Sequence, residues 1–296
     1  MNRFWTAVVL VTTLIFLQSC TNSPSSQKAS LTASHDSAEP APSGSHSEDH
    51  SEAHGSNAHD DEVPSRSPLA SLRAEALETD QPAALAIHVQ DAEGRPVEQF
   101  DTFQEQLMHL ILVSDDLQHS RHLHPTYTGK GHFEVETRFP QGGSYTLFSD
   151  YKPTGQAETV SVLKAQVKGD RPPAPTPDWT RTQSLENAVV NLSFSEESLQ
   201  AGEDVTIKFE LQDPRSQEPL SDLQPYLGEA GHLVIVQAAE TLTRDHYIHA
   251  HALPDAPTGQ VHFATQFPEP GRYRLWGQFQ RDGQVITAGF WVNVAP

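Results

Sequence analysis

"FPQGGSYTLFSDY" (139–151) returns without a gap as "FPEPGRYRLWGQF" (267–279). In each, a Pro/Gly turn leads into Gly-x-Tyr and then a short apolar run, the punctuation of a turn feeding a β-strand. Working outward, the two neighbourhoods keep matching. "MHLILV" (108–113) aligns with "GHLVIV" (231–236), "HSRHLH" (119–124) with "HYIHAH" (246–251), and "GHF" (131–133) with "VHF" (261–263). One module is therefore present twice. The copies are separated by "GDRPPAPTPDWT" (169–180), whose prolines oppose regular pairing and read as a short, stiff linker.

The local signals are β throughout. Short apolar or alternating runs at 84–89, 107–113, 133–139, 144–151, 189–194, 205–211, 232–236, 273–279 and 284–294 sit between turn residues. "RDGQ" (281–284) is an Asp-Gly hairpin turn. Helical periodicity competes only over 69–77. Many short strands at this spacing indicate sandwiches. Tyr145 and Tyr273, each opening a strand after a turn with Leu147 and Leu275 two residues on, resemble the tyrosine corner of immunoglobulin-like sandwiches. The expected fold class is all-β: two tandem immunoglobulin-like β-sandwich domains after a disordered N-terminal tether. The expected boundaries are 1–20, 21–70 (tether), 71–170 (first module), 171–180 (Pro-rich linker) and 181–296 (second module).

The first twenty residues read as an export signal: Arg3, an apolar run over 7–17, then Leu17-Gln18-Ser19-Cys20. That ending resembles the lipobox of bacterial lipoproteins, which implies lipid attachment at Cys20 and a protein anchored to a membrane without spanning it. The expected location is the cell envelope, on the periplasmic face of a bacterial membrane or the cell surface. Cys20 is the only cysteine, so disulfides, Cys-ligated zinc, iron–sulfur clusters, blue copper and thiol catalysis are all excluded from the body of the chain. A formal charge of −20 argues against nucleic acid, whose phosphates require Lys and Arg. The tether carries His35, His46, His50, His54 and His59 among carboxylates, a composition suited to a solvated spacer and to weak metal binding.

Histidines dominate what remains. His109 pairs with His232 between the copies, His119 with His246, His122 with His249, His124 with His251, and His132 with His262; His88 has no counterpart. Alternation along a strand puts His122 and His124 on one side, about 7 Å apart at the backbone, and His249 and His251 repeat this. His109 and His232 open the preceding strand, where an antiparallel partner could bring them beside the His-x-His pair. Three imidazoles with an open position suit Zn(II) or Cu(II), provided their nitrogens lie within about 5 Å of one another. His119 and His246 fall on the other face or in a loop and are weaker candidates. His132 and His262 read as structural.

The stretches "MHLILVSDDLQHSRHLHPTYTGKGHFEVETRFPQGGSYTLFSDYKP" and "PYLGEAGHLVIV…HAHA…FATQFPEPGRYRLWGQFQRDGQ" resemble the YtkA-like group of exported immunoglobulin-like modules, over about 190 residues. The resemblance implies an association with copper or other heavy metals at the envelope. It would place ligands at His109, His122 and His124, and at His232, His249 and His251. Asp150 is a further candidate ligand, with Gln278 at its position in the second copy; Pro125 likewise becomes Ala252. The expected function is a non-enzymatic, membrane-anchored protein binding copper or zinc as chaperone, buffer or efflux accessory, with an envelope metal-transport partner. The alternative is a structural or interaction sandwich on a stalk with no metal role. A dismutase-type enzyme would need a disulfide that the chain cannot make, and the chain has no Gly-x-Ser-x-Gly elbow, phosphate-binding glycine loop or His-Glu-x-x-His.

Overall fold

Alternating and continuous apolar runs become two β-sandwiches in the computed structural model, which describes residues 68–296. The signal segment, Cys20 and the tether histidines lie outside the described residues. The first module contains β1 (Leu69–Ala74), β2 (Leu77–Glu78), β3 (Pro82–Gln90), β4 (Met108–Ser114), β5 (Ser120–Leu123), β6 (Thr126–Gly129), β7 (His132–Arg138), β8 (Gly143–Tyr151) and β9 (Thr159–Lys168). The second contains β10 (Thr182–Ser184), β11 (Val189–Phe194), β12 (Asp204–Gln212), β13 (Leu223–Gln224), β14 (His232–Gln237), β15 (Tyr247–His251), β16 (Gln260–Gln266), β17 (Gly271–Arg281) and β18 (Gln284–Val294). Among the described residues the only helical element is a 3-10 turn at Arg244–His246. The fold class is all-β.

In the first module a sheet β1-β3-β7-β6 faces a sheet β2-β9-β8-β4-β5. In the second, β10-β11-β12-β16 faces β13-β17-β14-β15, with β18 alongside β17. This is the immunoglobulin-like arrangement, two antiparallel sheets over a core of inward alternate residues. Leu85, Ile87, Phe133, Leu147 and Tyr151 fill the first core; Ile207, Phe209, Phe263, Leu275 and Phe279 fill the second.

The tyrosine corner is present twice. Tyr145 donates its hydroxyl to the Gln141 carbonyl at 3.0 Å, and Tyr273 donates to the Glu269 carbonyl at 2.7 Å. Both rings are buried, so each phenol needs that acceptor. Gly143 and Gly271 open these strands with φ of 122° and 140°, a region that side chains with a Cβ avoid.

Two expectations change. The helical periodicity over 69–77 gives way to strands: β1 runs antiparallel along β3, pairing Leu72 with Ile87, and β2 runs parallel to β9. A ladder of backbone hydrogen bonds to a buried neighbour outweighs so short a helical signal. Strand β9, absent from the runs read in the sequence, alternates buried and exposed residues along its second half.

One difference between strands positions the site. Strands β3 and β12 alternate strictly, as expected for one wet face. Strand β4 is buried at every residue, and β14 at all but its last. A sheet can bury both faces only if something covers the outer one. Here each module covers the other.

Candidate metal centre

The outer faces of the two sheets carrying β4 and β14 pack together. Ile111, Val113, Leu117 and Phe148 of the first module form one buried cluster with Val234, Val236, Leu242, Tyr247, Trp276 and Trp291 of the second. Phe148 stacks on Tyr247, with ring centroids 4.5 Å apart and planes 10° from parallel. Lys164 donates to the Leu242 carbonyl across the junction at 3.0 Å. At one end of this apolar patch lie the histidines.

Strand register explains how they converge. In the first module β4 pairs with β5, setting Ile111 opposite His122, and with β8, setting His109 opposite Asp150. In the second, β14 sets Val234 opposite His249 and His232 opposite Gln278. Since His109, Ile111 and Val113 share a face, the histidine continues the row that packs on the partner module. His109 and His232 are fully buried.

The rings of His109, His122 and His124 bring one nitrogen each within 4.8 Å of one another. Their centroids are 5.1 Å (His109–His122), 5.2 Å (His109–His124) and 4.8 Å (His122–His124) apart. His232 and His249 join them: His109 is 6.2 Å from His232 and 5.6 Å from His249, and His122 is 5.5 Å and 5.7 Å from the same two rings. His251 stands opposite His232 on the backbone; its side chain lies outside the described residues.

Burial keeps the first module's rings neutral. Desolvation, reinforced by the neighbouring His249, lowers the His109 pKa from 6.5 to about 3. Desolvation with His249, His109 and His124 holds His122 well below its usual value, and desolvation alone lowers His124. Neutral imidazole is the metal-binding form.

Outward hydrogen bonds then orient the rings. Carbonyl and carboxylate oxygens only accept. His109 donates from Nε2 to the Phe103 carbonyl at 3.2 Å, so its Nδ1 carries a lone pair. His232 does the same, donating from Nε2 to the Tyr226 carbonyl at 3.0 Å. The carbonyls come from tight turns in which Gln104 (φ 46°), Glu105 (φ 63°), Leu227 (φ 53°) and Gly228 (φ 79°) are left-handed. His122 donates from Nδ1 to Gln278 Oε1 at 2.8 Å, and His249 from Nδ1 to Asp150 Oδ2 at 3.4 Å. Each of these two rings is thus oriented by a residue of the other module. His109 Nδ1 meets His122 Nε2 at 2.9 Å, and His232 Nδ1 meets His249 Nε2 at 3.4 Å. His124 Nε2 is buried with no hydrogen-bond partner. Around a tetrahedral ion bound at 2.0–2.1 Å, ligand nitrogens sit about 3.4 Å apart. The donor set fits a divalent metal.

The remaining candidates sit elsewhere. His119 lies in the turn before β5, its carbonyl accepting from the Ser114 amide. His246 Nδ1 accepts from the Thr243 amide at 3.0 Å within the 3-10 turn. His132 stacks face to face on His88 at 4.0 Å in the opposite sheet, and His262 bonds Gln260 at 2.8 Å. Asp150 is fully buried and meets a histidine of the other copy. Gln278, Phe103 and Tyr226 escaped the sequence reading. The only signal for Gln278 was its alignment with Asp150; the two carbonyls have no side-chain signature.

No curated protein matches the chain significantly. Among solved structures, the FdeC adhesin of Escherichia coli is 15% identical, over 78% of this chain and 65% of that one, with a TM-score of 0.27. The InvE adhesin of Yersinia pseudotuberculosis is 9% identical over 76% and 59%, with a TM-score of 0.24. A Salmonella alpha-2-macroglobulin is 14% identical over 79% and 15%, with a TM-score of 0.26. The chain thus spans less than two thirds of each of these proteins, and likeness at this level carries no argument about function. A family model matches residues 69–169 and 183–296, one segment per sandwich and together most of the chain. The chain belongs to that family, described as a domain of unknown function, DUF8832.

Proposed function

We propose that the protein is a non-enzymatic, exported, lipid-anchored metal binder that takes Zn(II) or Cu(II) through its buried histidines, as a chaperone, buffer or efflux accessory. The observation that carries this reading is the convergence of His109, His122 and His124, which bring one nitrogen each within 4.8 Å of one another, with His124 Nε2 buried and without a hydrogen-bond partner. A bound ion would supply positive charge between these nitrogens. The protein's residues hold the imidazoles neutral, aim them, and exclude water from them. Nitrogen ligation suits Zn(II) and Cu(II), and a methionine-rich Cu(I) site is ruled out because Met108 is the only methionine after Met1. Clefts of about 610 Å³ beside His124, with Glu134 and Glu136, and about 720 Å³ beside His249, with Glu158 and Asp245, offer acidic approaches from solvent.

Calorimetric titration of the purified chain with Zn(II) and Cu(II) tests the reading. Saturable binding lost in the His122→Ala, His124→Ala double variant supports it; heat indistinguishable between the two proteins refutes it. The second reading is a structural or interaction sandwich pair on a membrane stalk. The apolar cluster that joins the two modules without any ion favours it, and it predicts a protein equally stable with and without metal.

A further inference from the structure

Each copy, taken alone, carries a half-set of ligands, and nothing in the repeat itself requires the halves to meet. Four observations show that they do. First, the register positions are equivalent: His109, Ile111 and Phe148 in the first module occupy the places of His232, Val234 and Trp276 in the second. Second, those equivalent faces pack on each other, as the two halves of an isologous interface do. Third, the orienting partners are exchanged. His122 of the first module is aimed by Gln278 of the second, and His249 of the second by Asp150 of the first, with Asp150 and Gln278 themselves equivalent. Fourth, ring spacings between copies (5.5–6.2 Å) match those within them (4.8–5.7 Å). Imidazoles on one tetrahedral ion have centroids about 5 Å apart, and the rings of His109, His122, His232 and His249 stand around one position at close to that spacing.

We infer that the two copies build one composite metal centre per chain, in which a single divalent ion is held by histidines of both modules and joins them across their interface. The inference rests on the metal-binding reading above and goes further in assigning one shared site in place of two independent ones. Neither module contains the residue that orients the first histidine of its own His-x-His pair, so docking of the modules and completion of the site are the same event. The ion is then a staple for the interface as well as a cargo, because binding to the docked state alone stabilises that state by mass action.

The test uses the full chain, Zn(II), and a competing chelator strong enough to strip the tether histidines. Native mass spectrometry gives the number of tightly held ions, and chelator competition gives affinity, for the wild type and for His122→Gln and His249→Gln, one conservative change in each module. One tight ion in the wild type, with affinity lowered at least tenfold in both variants, is the expected result. Two tight ions in the wild type, or full-affinity binding retained when either module is altered, overturns the shared centre while leaving metal binding intact. The absence of any tight ion overturns both readings. The wild-type stoichiometry decides even if a variant fails to fold.

Discussion

The two modules keep the same histidine skeleton and differ in what stands behind it. In the first, His109, His122 and His124 cluster closely, and His122 is aimed by a neutral amide, Gln278. In the second, His232 and His249 are spaced more widely, and His249 is aimed by a carboxylate, Asp150. A carboxylate behind an imidazole makes it a stronger donor than an amide does. The difference teaches that the copies are equivalent in skeleton but not in chemistry, and that each supplies the residue that aims a histidine of the other.

The largest expected effect is on the junction itself. Phe148→Ala removes the ring stacked on Tyr247 and should cost about 3–5 kcal/mol, as large-to-small changes in a core do. Trp276→Ala, at the equivalent place, should cost a similar amount. Denaturant melts read both. A cost below about 1 kcal/mol for either would mean that the modules barely depend on each other.

Next comes acidity. The depressed pKa values of His109, His122 and His124 mean that the unfolded chain binds protons near pH 6.5 that the folded chain refuses. Stability of the metal-free protein should therefore be full above about pH 6.5 and decline progressively toward pH 3. Urea midpoints across that range should fall with pH. His109→Gln should flatten the decline, and an unchanged slope would show that His109 is not the buried neutral group described.

A smaller effect sharpens the contrast between the orienting residues. Asp150→Asn should weaken Zn(II) binding about 10–100-fold through His249, and Gln278→Ala should weaken it less. Equal losses, read by chelator competition, would remove the distinction between carboxylate and amide. Smallest of all, Tyr145→Phe and Tyr273→Phe should each cost about 1 kcal/mol, the worth of one buried hydrogen bond. Unequal costs would show that the corners, unlike the junction, are not equivalent.

Much of the fold was legible because its signals are local. Strands β11 and β18 coincide with the apolar runs at 189–194 and 284–294, and the Gly-x-Tyr pairs announce their corners. Strand β1 was misread because a short segment's periodicity is weaker than the ladder that captures it. His109, His122 and His124 were legible as a set, since period-two alternation and one antiparallel pairing suffice to bring them together. Gln278 was not, because its partner lies 156 residues away in the other copy. The continuous apolar runs of β4 and β14 were a signal of two covered faces, but a run alone does not say what covers it.

By itself, then, the amino-acid sequence determined the β class, the duplication and the candidate histidines. These follow from residue type and spacing, which act over a few residues. Only the tertiary structure decided that the outer faces of β4 and β14 meet, that Asp150 and Gln278 reach across, and that His232 and His249 come beside His109 and His122. Those outcomes depend on packing one sheet face against another, and no local pattern encodes where a covered face will find its cover.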